Sequence, residues 1–178
     1  MLPTLVGPRV TLRPGVPADA ERLHAIRSEA EVVRWWREPD PVERIAAELA
    51  GTANEVVLVV EVDGEVAGAI QYYDETEPDY RHASIDIYLG RRYQRRGLGP
   101  EAIRLLATYL VDELGHHRLT IDPALDNSAA IRAYERVGFR PVGVMRRYER
   151  GADGSWHDGL LMDLLAEDLV RVQPGGTG

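Results

Sequence analysis

Gln94-Arg95-Arg96-Gly97-Leu98-Gly99 is the stretch on which the fold of this chain turns. It stands between a strand-like run, Ala83 to Leu89, and a helix-like run, Glu101 to Leu114. Two glycines one residue apart let the backbone turn tightly and approach a ligand without Cβ interference. A helix that follows such a turn points its unpaired N–H groups and positive dipole end back at it. Strand, Gly-rich turn and helix N-terminus together make an anion site, most naturally for phosphate. Arg95 and Arg96 add guanidinium groups that can pair with phosphate oxygens. An ordinary strand-to-helix turn is the plainer reading of the same residues. A dinucleotide fingerprint is missing, because Glu101 and Ala102 stand where a third glycine is needed, and no Gly-Lys-Ser/Thr of a phosphate-loop NTPase occurs.

A second motif lies downstream, Asn127-Ser128-Ala129-Ala130-Ile131-Arg132-Ala133-Tyr134-Glu135-Arg136-Val137-Gly138-Phe139. Asn127 or Ser128 can cap a helix, Ala130, Ala133, Tyr134 and Val137 share one helical stripe, and Gly138 ends it. Alone this is an amphipathic helix with a core tyrosine. Paired with the glycine turn, it resembles the GNAT superfamily of acetyl-CoA-dependent N-acetyltransferases, from about Arg9 to Leu169. The resemblance implies that the Gln94–Gly99 loop takes the CoA pyrophosphate, and that Asn127, Ala130 and Tyr134 lie along the pantetheine and acyl end. It also implies that a backbone N–H near Ile87, Tyr88 or Leu89 polarises the thioester carbonyl, and that splayed strands form the acyl-CoA cleft. Acetyl-CoA is then a co-substrate, and no metal is expected. One departure is Pro100 after Gly99, which removes a phosphate-facing N–H but suits a helix start.

Amide formation needs a neutral amine, a polarised thioester and a proton for the leaving thiolate. Tyr134 is the candidate acid: a phenol at pKa ~10 can donate to a thiolate whose thiol has pKa ~8.5. Core packing is its alternative role. Asp86 shares one strand face with His82, Ser84 and Tyr88. A mid-strand carboxylate must find a partner or stay wet. Asp86 therefore either handles the amine, directly or through water, or pairs structurally with Arg91 or Arg92.

A narrower likeness is carried by Val33-Arg34-Trp35-Trp36, Gln71-Tyr72-Tyr73, Ile85-Asp86, Thr120-Ile121-Asp122-Pro123 and Asp158-Gly159. These resemble landmarks of aminoglycoside 6'-N-acetyltransferases. That likeness implies that Trp35, Trp36, Tyr72 and Tyr73 line a sugar pocket and that Asp122 and Asp158 neutralise ammonium groups. Aromatic faces do pack on sugars, and carboxylates pair with cations. Trp35 and Trp36 would equally serve as a hydrophobic staple at a helix end. The acidic loop Asp74 to Asp79 departs from the narrower pattern. Rival acceptors are ribosomal-protein N-termini and the hydroxylated lysine of siderophore assembly. A non-catalytic acyl-CoA sensor would need Gly97 and Gly99 but neither Tyr134 nor Asp86.

Composition agrees with one globular domain over 1–178, with an ordered core at about 9–170 and a Pro/Gly-rich tail at 173–178 expected to be disordered. The chain has no cysteine, which excludes disulfides, thiolate metal sites and a Cys nucleophile. Its five histidines show no ligand spacing on a helix, and the net charge of −8 argues against nucleic acid as a general partner. No run is long enough to span a bilayer and the N-terminus lacks a signal-peptide pattern, so a cytoplasmic address and no membrane partner are expected. The expected partner is a small cationic amine, and monomer and homodimer stay equally open.

The remaining elements follow from periodicity. Val10–Arg13, Val57–Val62, Val66–Tyr73, Arg118–Asp122, Arg140–Glu149 and Trp156–Leu164 read as strands, with Asp63-Gly64 closing a hairpin. Helices are expected after Pro17, with Leu23, Ile26 and Ala30 inward, and from about Val42 to Ala50. The order predicts an α/β (α+β) fold: a central mixed, mostly antiparallel sheet flanked by helices.

Overall fold

The computed structural model describes residues 2–50 and 55–171. Its eight strands are β1 (Leu5–Val6), β2 (Thr11–Pro14), β3 (Glu55–Val62), β4 (Glu65–Glu75), β5 (His82–Leu89), β6 (Arg118–Ile121), β7 (Arg140–Arg150) and β8 (Trp156–Leu165). The helices are α1 (Ala20–Arg27), α2 (Ala30–Trp36), α3 (Val42–Glu48), α4 (Leu98–Asp112) and α5 (Ser128–Glu135). The strands form one sheet in the order β1-β2-β3-β4-β5-β6-β8-β7, antiparallel throughout except where β5 meets β6. This is the expected mixed, mostly antiparallel sheet.

Strand alternation decides what each face carries. Ile70, Tyr72, Ala83 and Ile85 point toward α4, whose Ala102, Ile103, Leu106 and Leu110 complete the larger core. Val59 and Ala69 point the other way, beneath Leu23 of α1 and Ile45 of α3. Asp63 and Gly64 both hold positive φ, 53° and 77°, the backbone a two-residue hairpin turn requires.

Several boundaries differ from the sequence reading. The turn at Pro17–Asp19 is 3₁₀, and the α-helix begins only at Ala20, because the Asp19 carboxylate is committed to Arg13 and the Val16 N–H. Ala30 is exposed and opens α2, the helix that carries both tryptophans, instead of facing the core. Helix α4 starts three residues earlier than expected, on Gly97 as N-cap, so Pro100 is its third residue. The first four helical N–H groups lack intrahelical acceptors, so a proline is tolerated there too. The tail at 173–178 lies outside the described residues, and no helix among them is long and apolar enough to cross a membrane.

One topological feature makes the site. β5 and β6 pair only at Ala83↔Leu119 and Ser84↔Thr120, with the Ser84 and Thr120 hydroxyl oxygens 3.0 Å apart. Beyond that point β5 runs on to Leu89 with no partner on its β6 side, and the two strands splay. Backbone groups freed by the splay are available to a ligand, since ladder groups otherwise pair with a neighbour.

Candidate active site

The splay opens into a cleft of about 930 Å³ that runs from the glycine loop, past α5, to α2. Gln94, Arg95, Gly97 and Gly99 line one end, Asn127, Ala130 and Tyr134 a side, and Trp35, Trp36, Asp86 and Asp122 the other end. Ile87, Tyr88 and Leu89 form the β5 wall between them.

The loop end is built from backbone. Arg95 and Gly97 adopt left-handed φ of 57° and 77° on either side of Arg96, a geometry that gathers N–H groups into an anion-binding concavity. A Cβ at Gly99 would meet only Leu89 Cδ1, at 3.8 Å, so the space before it is open to a ligand. Gln94 Nε2 donates to the Leu89 carbonyl at 2.8 Å and ties the loop to the strand. Arg96 is exposed and lies outside the cleft, and Leu98 is buried in the core under α4. Leu98 thus anchors the loop, and its side chain is not presented to a ligand. Open glycine face, concave amides and unpaired strand edge fit a pyrophosphate followed by an extended pantetheine arm.

On the α5 side, Asn127 Oδ1 accepts the Ala130 N–H at 3.2 Å, which selects Asn127 over Ser128 as the cap. The Tyr134 ring packs against Phe139, centroids 6.4 Å apart, and the residue also lines the cleft. Packing and chemistry are therefore not exclusive. Burial first, then the Asp86 and Asp122 charges, hold its phenol well above the ordinary value.

The end of the cleft away from the glycine loop is acidic. Asp86 projects into the cleft, open to water along it yet crowded by protein on the remaining sides. Its carboxyl is pushed up to about 7, chiefly by desolvation and then by the Asp122 charge, with a Gln71 hydrogen bond working the other way. Arg91 and Arg92 are engaged elsewhere, with Glu31 and Glu65 at 3.1 Å each, so the structural pairing considered for Asp86 does not form. Asp122 is itself raised by desolvation, opposed by a hydrogen bond from Tyr148. Glu149 and Glu55 line the same region, and Glu149 is raised by burial.

The aromatic residues divide. Trp35 and Trp36 line the cleft, but the Arg34 guanidinium lies 4.7 Å from the Trp35 ring centroid. Trp36 meets Tyr88 edge-on at 5.0 Å, and Arg27 lies 5.1 Å from its ring centroid while donating to its carbonyl at 3.0 Å. Tyr72 is 5% exposed in the core, opposite Ile85 and on the sheet face turned away from Asp86, which places it outside the acidic end of the cleft. Tyr73 is on the Asp86 face but beside Ser84, half-exposed and beyond the cleft lining. Asp158 is also outside the lining: its Oδ1 accepts the Arg147 N–H at 2.7 Å.

Four residues were given no role in the sequence reading: Gln71, Glu55 and Glu149, which line the cleft, and Tyr148, which bears on Asp122 from outside it. Gln71 had a signal, since alternation along β4 puts it opposite Asp86 and sends Tyr72 to the other face. The other three had none, because their approach to Asp86 depends on pairings across the sheet.

Comparison with known proteins follows this geometry. Residues 9–140 match the family model described as an acetyltransferase (GNAT) domain. The spermidine N(1)-acetyltransferase of Escherichia coli (strain K12) is 29% identical over 177 residues, covering 94% of this chain and 93% of that protein. The aminoglycoside N(6')-acetyltransferase type 1 of Klebsiella pneumoniae is 27% identical over 155 residues, 76% of each chain. Among solved structures, Mycobacterium smegmatis RimJ in complex with CoA-disulfide shares the fold with a TM-score of 0.82 at 24% identity, covering 95% of this chain and 88% of that one.

Proposed function

The chain belongs to the acetyltransferase (GNAT) domain family and is an acyl-CoA-dependent N-acetyltransferase, and from that premise we propose that its acceptor is a primary amine of a polycationic small molecule. The observation that carries this reading is the gathering of Glu55, Asp86, Asp122 and Glu149 at one end of the cleft. Carboxylates in a partly desolvated cleft favour a ligand with several ammonium groups over a monoamine, at about 1.5–3 kcal/mol per charged hydrogen bond.

Two chemical classes carry several ammonium groups on a small frame: aminoglycosides and linear polyamines. Relatives named for each are similar to this chain. The aminoglycoside class would use the tryptophans as a sugar platform, yet Arg34, Tyr88 and Arg27 already engage those rings. A linear polyamine needs only the carboxylates. The acidic end therefore supports both, and the occupied rings favour the polyamine.

Chain residues divide the chemistry as follows. The acceptor arrives as an ammonium, and Asp86, with a carboxyl near neutrality, takes one proton and passes it to solvent. The freed lone pair forms the C–N bond at the thioester carbon, whose oxygen is met by a β5 amide at Ile87, Tyr88 or Leu89. As the C–S bond breaks, the Tyr134 hydroxyl gives its proton to sulfur and regains one from the nitrogen. Products are the acetamide, the CoA thiol and one proton. A phenol raised above its ordinary value does not ionise in the resting site. Transfer to a thiolate of thiol pKa ~8.5 is uphill by itself, so it must occur in concert with reprotonation.

Thiol release measured with spermidine, kanamycin, butylamine and an N-terminal peptide in parallel tests the reading. The polycations are expected to show the highest kcat/KM, and the preference to shrink as salt is added. A preference for the peptide or for butylamine would leave the acetyltransferase and reject the polycationic acceptor.

A further inference from the structure

We infer that Tyr148 is a positioning residue for the amine acceptor, acting through Asp122 from outside the cleft. The inference rests on the reading of Asp122 as an acceptor-binding carboxylate.

The chain of contacts begins at an irregularity in the β7–β8 ladder. Met145 pairs with Gly159 and Glu149 with His157, so β7 spends four steps where β8 spends two. Arg147, in the middle of the extra length, holds a left-handed φ of 51°, uncommon for a side chain of that size. The bulge is pinned by Asp158, whose Oδ1 accepts the Arg147 N–H at 2.7 Å. The same stretch of β8 is fastened to the segment after β6: Leu125 N donates to the Asp158 carbonyl and Leu160 N to the Pro123 carbonyl, each at 2.9 Å. Gly159 forms a bridge with Ala124.

That arrangement brings Tyr148 over Gly159. A Cβ at Gly159 would lie 2.9 Å from Tyr148 Cδ1, so only glycine lets the ring settle there. Gly159 is bridged to Ala124 and Leu160 is bonded to Pro123, the residue after Asp122, so the Tyr148 hydroxyl comes within reach of the Asp122 carboxylate, whose influence as an acceptor is the largest on the Tyr148 phenol and holds it above its ordinary value. Half of the Tyr148 surface remains exposed, and the residue does not line the cleft, so it reaches Asp122 from the rim. Bulges commonly re-aim a side chain beside an active site, and this one has a defined target.

The consequence is a division of labour between two neighbouring carboxylates. Asp122 faces Asp86 on β5, with Glu149 on β7 and Tyr134 on α5 close enough to feel its charge. Two nearby carboxylates tend to share a proton. A donor fixed on one of them keeps that one anionic and leaves proton exchange to the other. Tyr148 thereby works against the burial that raises Asp122 and biases it toward the anion that anchors an ammonium, while Asp86 is left to take the proton. Asp158, expected from sequence to touch the acceptor itself, has its place one step further back as the residue that holds the bulge.

A double-mutant cycle tests this. Tyr148→Phe removes only the hydroxyl and is expected to raise the KM of the acceptor about tenfold while leaving the KM of acetyl-CoA and the melting temperature unchanged. Asp122→Asn is expected to raise the acceptor KM further, and Tyr148→Phe to add nothing in that background. An unchanged acceptor KM in Tyr148→Phe, or losses that add in the double variant, would overturn the inference. A readout independent of turnover is the carbon NMR titration of the Asp122 carboxyl: its midpoint should move up in Tyr148→Phe, and an unmoved midpoint also overturns it. If butylamine proves a better acceptor than spermidine or kanamycin, the polycationic reading fails by itself. The cycle is then run with butylamine and the carboxyl titration still decides on Tyr148.

Discussion

Arg9 wraps around the buried carboxylate of Glu101, 92 residues away, with its backbone N at 2.7 Å from Oε1 and its Nε at 2.8 Å from Oε2. Val10 N adds a third donor at 3.2 Å, and the other end of the guanidinium donates to the Arg96 carbonyl at 2.9 Å. The turn between β1 and β2 is thus fastened to the first turn of α4 and to the glycine loop together. A carboxylate in the first helical turn also complements the helix dipole. Glu101→Ala leaves two backbone donors short of an acceptor and frees the loop. We expect a stability loss of about 1.5–3 kcal/mol by denaturant unfolding, together with weaker acetyl-CoA binding by calorimetry. Unchanged binding in a destabilised protein would confine Glu101 to the fold.

Gly99 makes the complementary case. Its missing Cβ faces open space inside the protein, with Leu89 Cδ1 at 3.8 Å as the nearest neighbour. Gly99→Val should therefore leave the melting temperature within a few degrees of the parent and still obstruct the approach of pyrophosphate to the loop amides. Calorimetry is expected to give a loss of acetyl-CoA affinity of at least tenfold, about 1.4 kcal/mol. Full affinity would place the pyrophosphate elsewhere.

The glycine loop, the start of α5 and the order of strands and helices were legible in the sequence because each is local: spacing, alternation and capping chemistry are written within a dozen residues. The Asp63-Gly64 hairpin is legible for the same reason. What stayed hidden depends on pairs distant in sequence. Glu101 marked only the absence of a third glycine, and nothing in its neighbourhood pointed to Arg9. Asp158 was singled out by the narrower likeness, but its partner is set by a bulge in another strand. Tyr72 and Tyr73 were treated alike, although alternation alone sends one into the core and the other to the Asp86 face. That error was avoidable. The elevated Asp86 carboxyl was not, since it comes from desolvation and from Asp122 on a separate strand.

Asp86 also gives a pH dependence with a definite sign. Its carboxyl moves from an ordinary 3.8 to about 7 in the folded protein. Between those values the folded state keeps a proton that the unfolded chain has lost, so this group's contribution to stability falls as pH rises through the window. Asp86→Asn should raise the melting temperature relative to the parent at pH 8, with the difference vanishing near pH 4. Activity runs in the opposite sense, because the carboxylate must be ionised to accept a proton. The kcat/KM of the parent should rise with pH and level off above about 7. A parent whose kcat/KM is flat from pH 5 to 8 would remove Asp86 as the base.

In the proposed mechanism Tyr134 carries the remaining proton. Its ring belongs to the packing around Phe139, so Tyr134→Phe keeps that contact and removes only the hydroxyl. Stability should change little, and acetyl-CoA affinity should be preserved, because the proposed mechanism assigns that binding to the loop and the β5 edge. On that mechanism the missing group acts when the C–S bond breaks, so the loss should fall on kcat, by about 10²-fold for one acid–base group. Steady-state kinetics with the best acceptor, alongside acetyl-CoA calorimetry, separate the two quantities. A raised KM with kcat intact would mean that the hydroxyl binds substrate and protonates nothing. Tyr134→Phe at full kcat would return the residue to the core and require another donor for the thiolate, with water along the open cleft the first to consider.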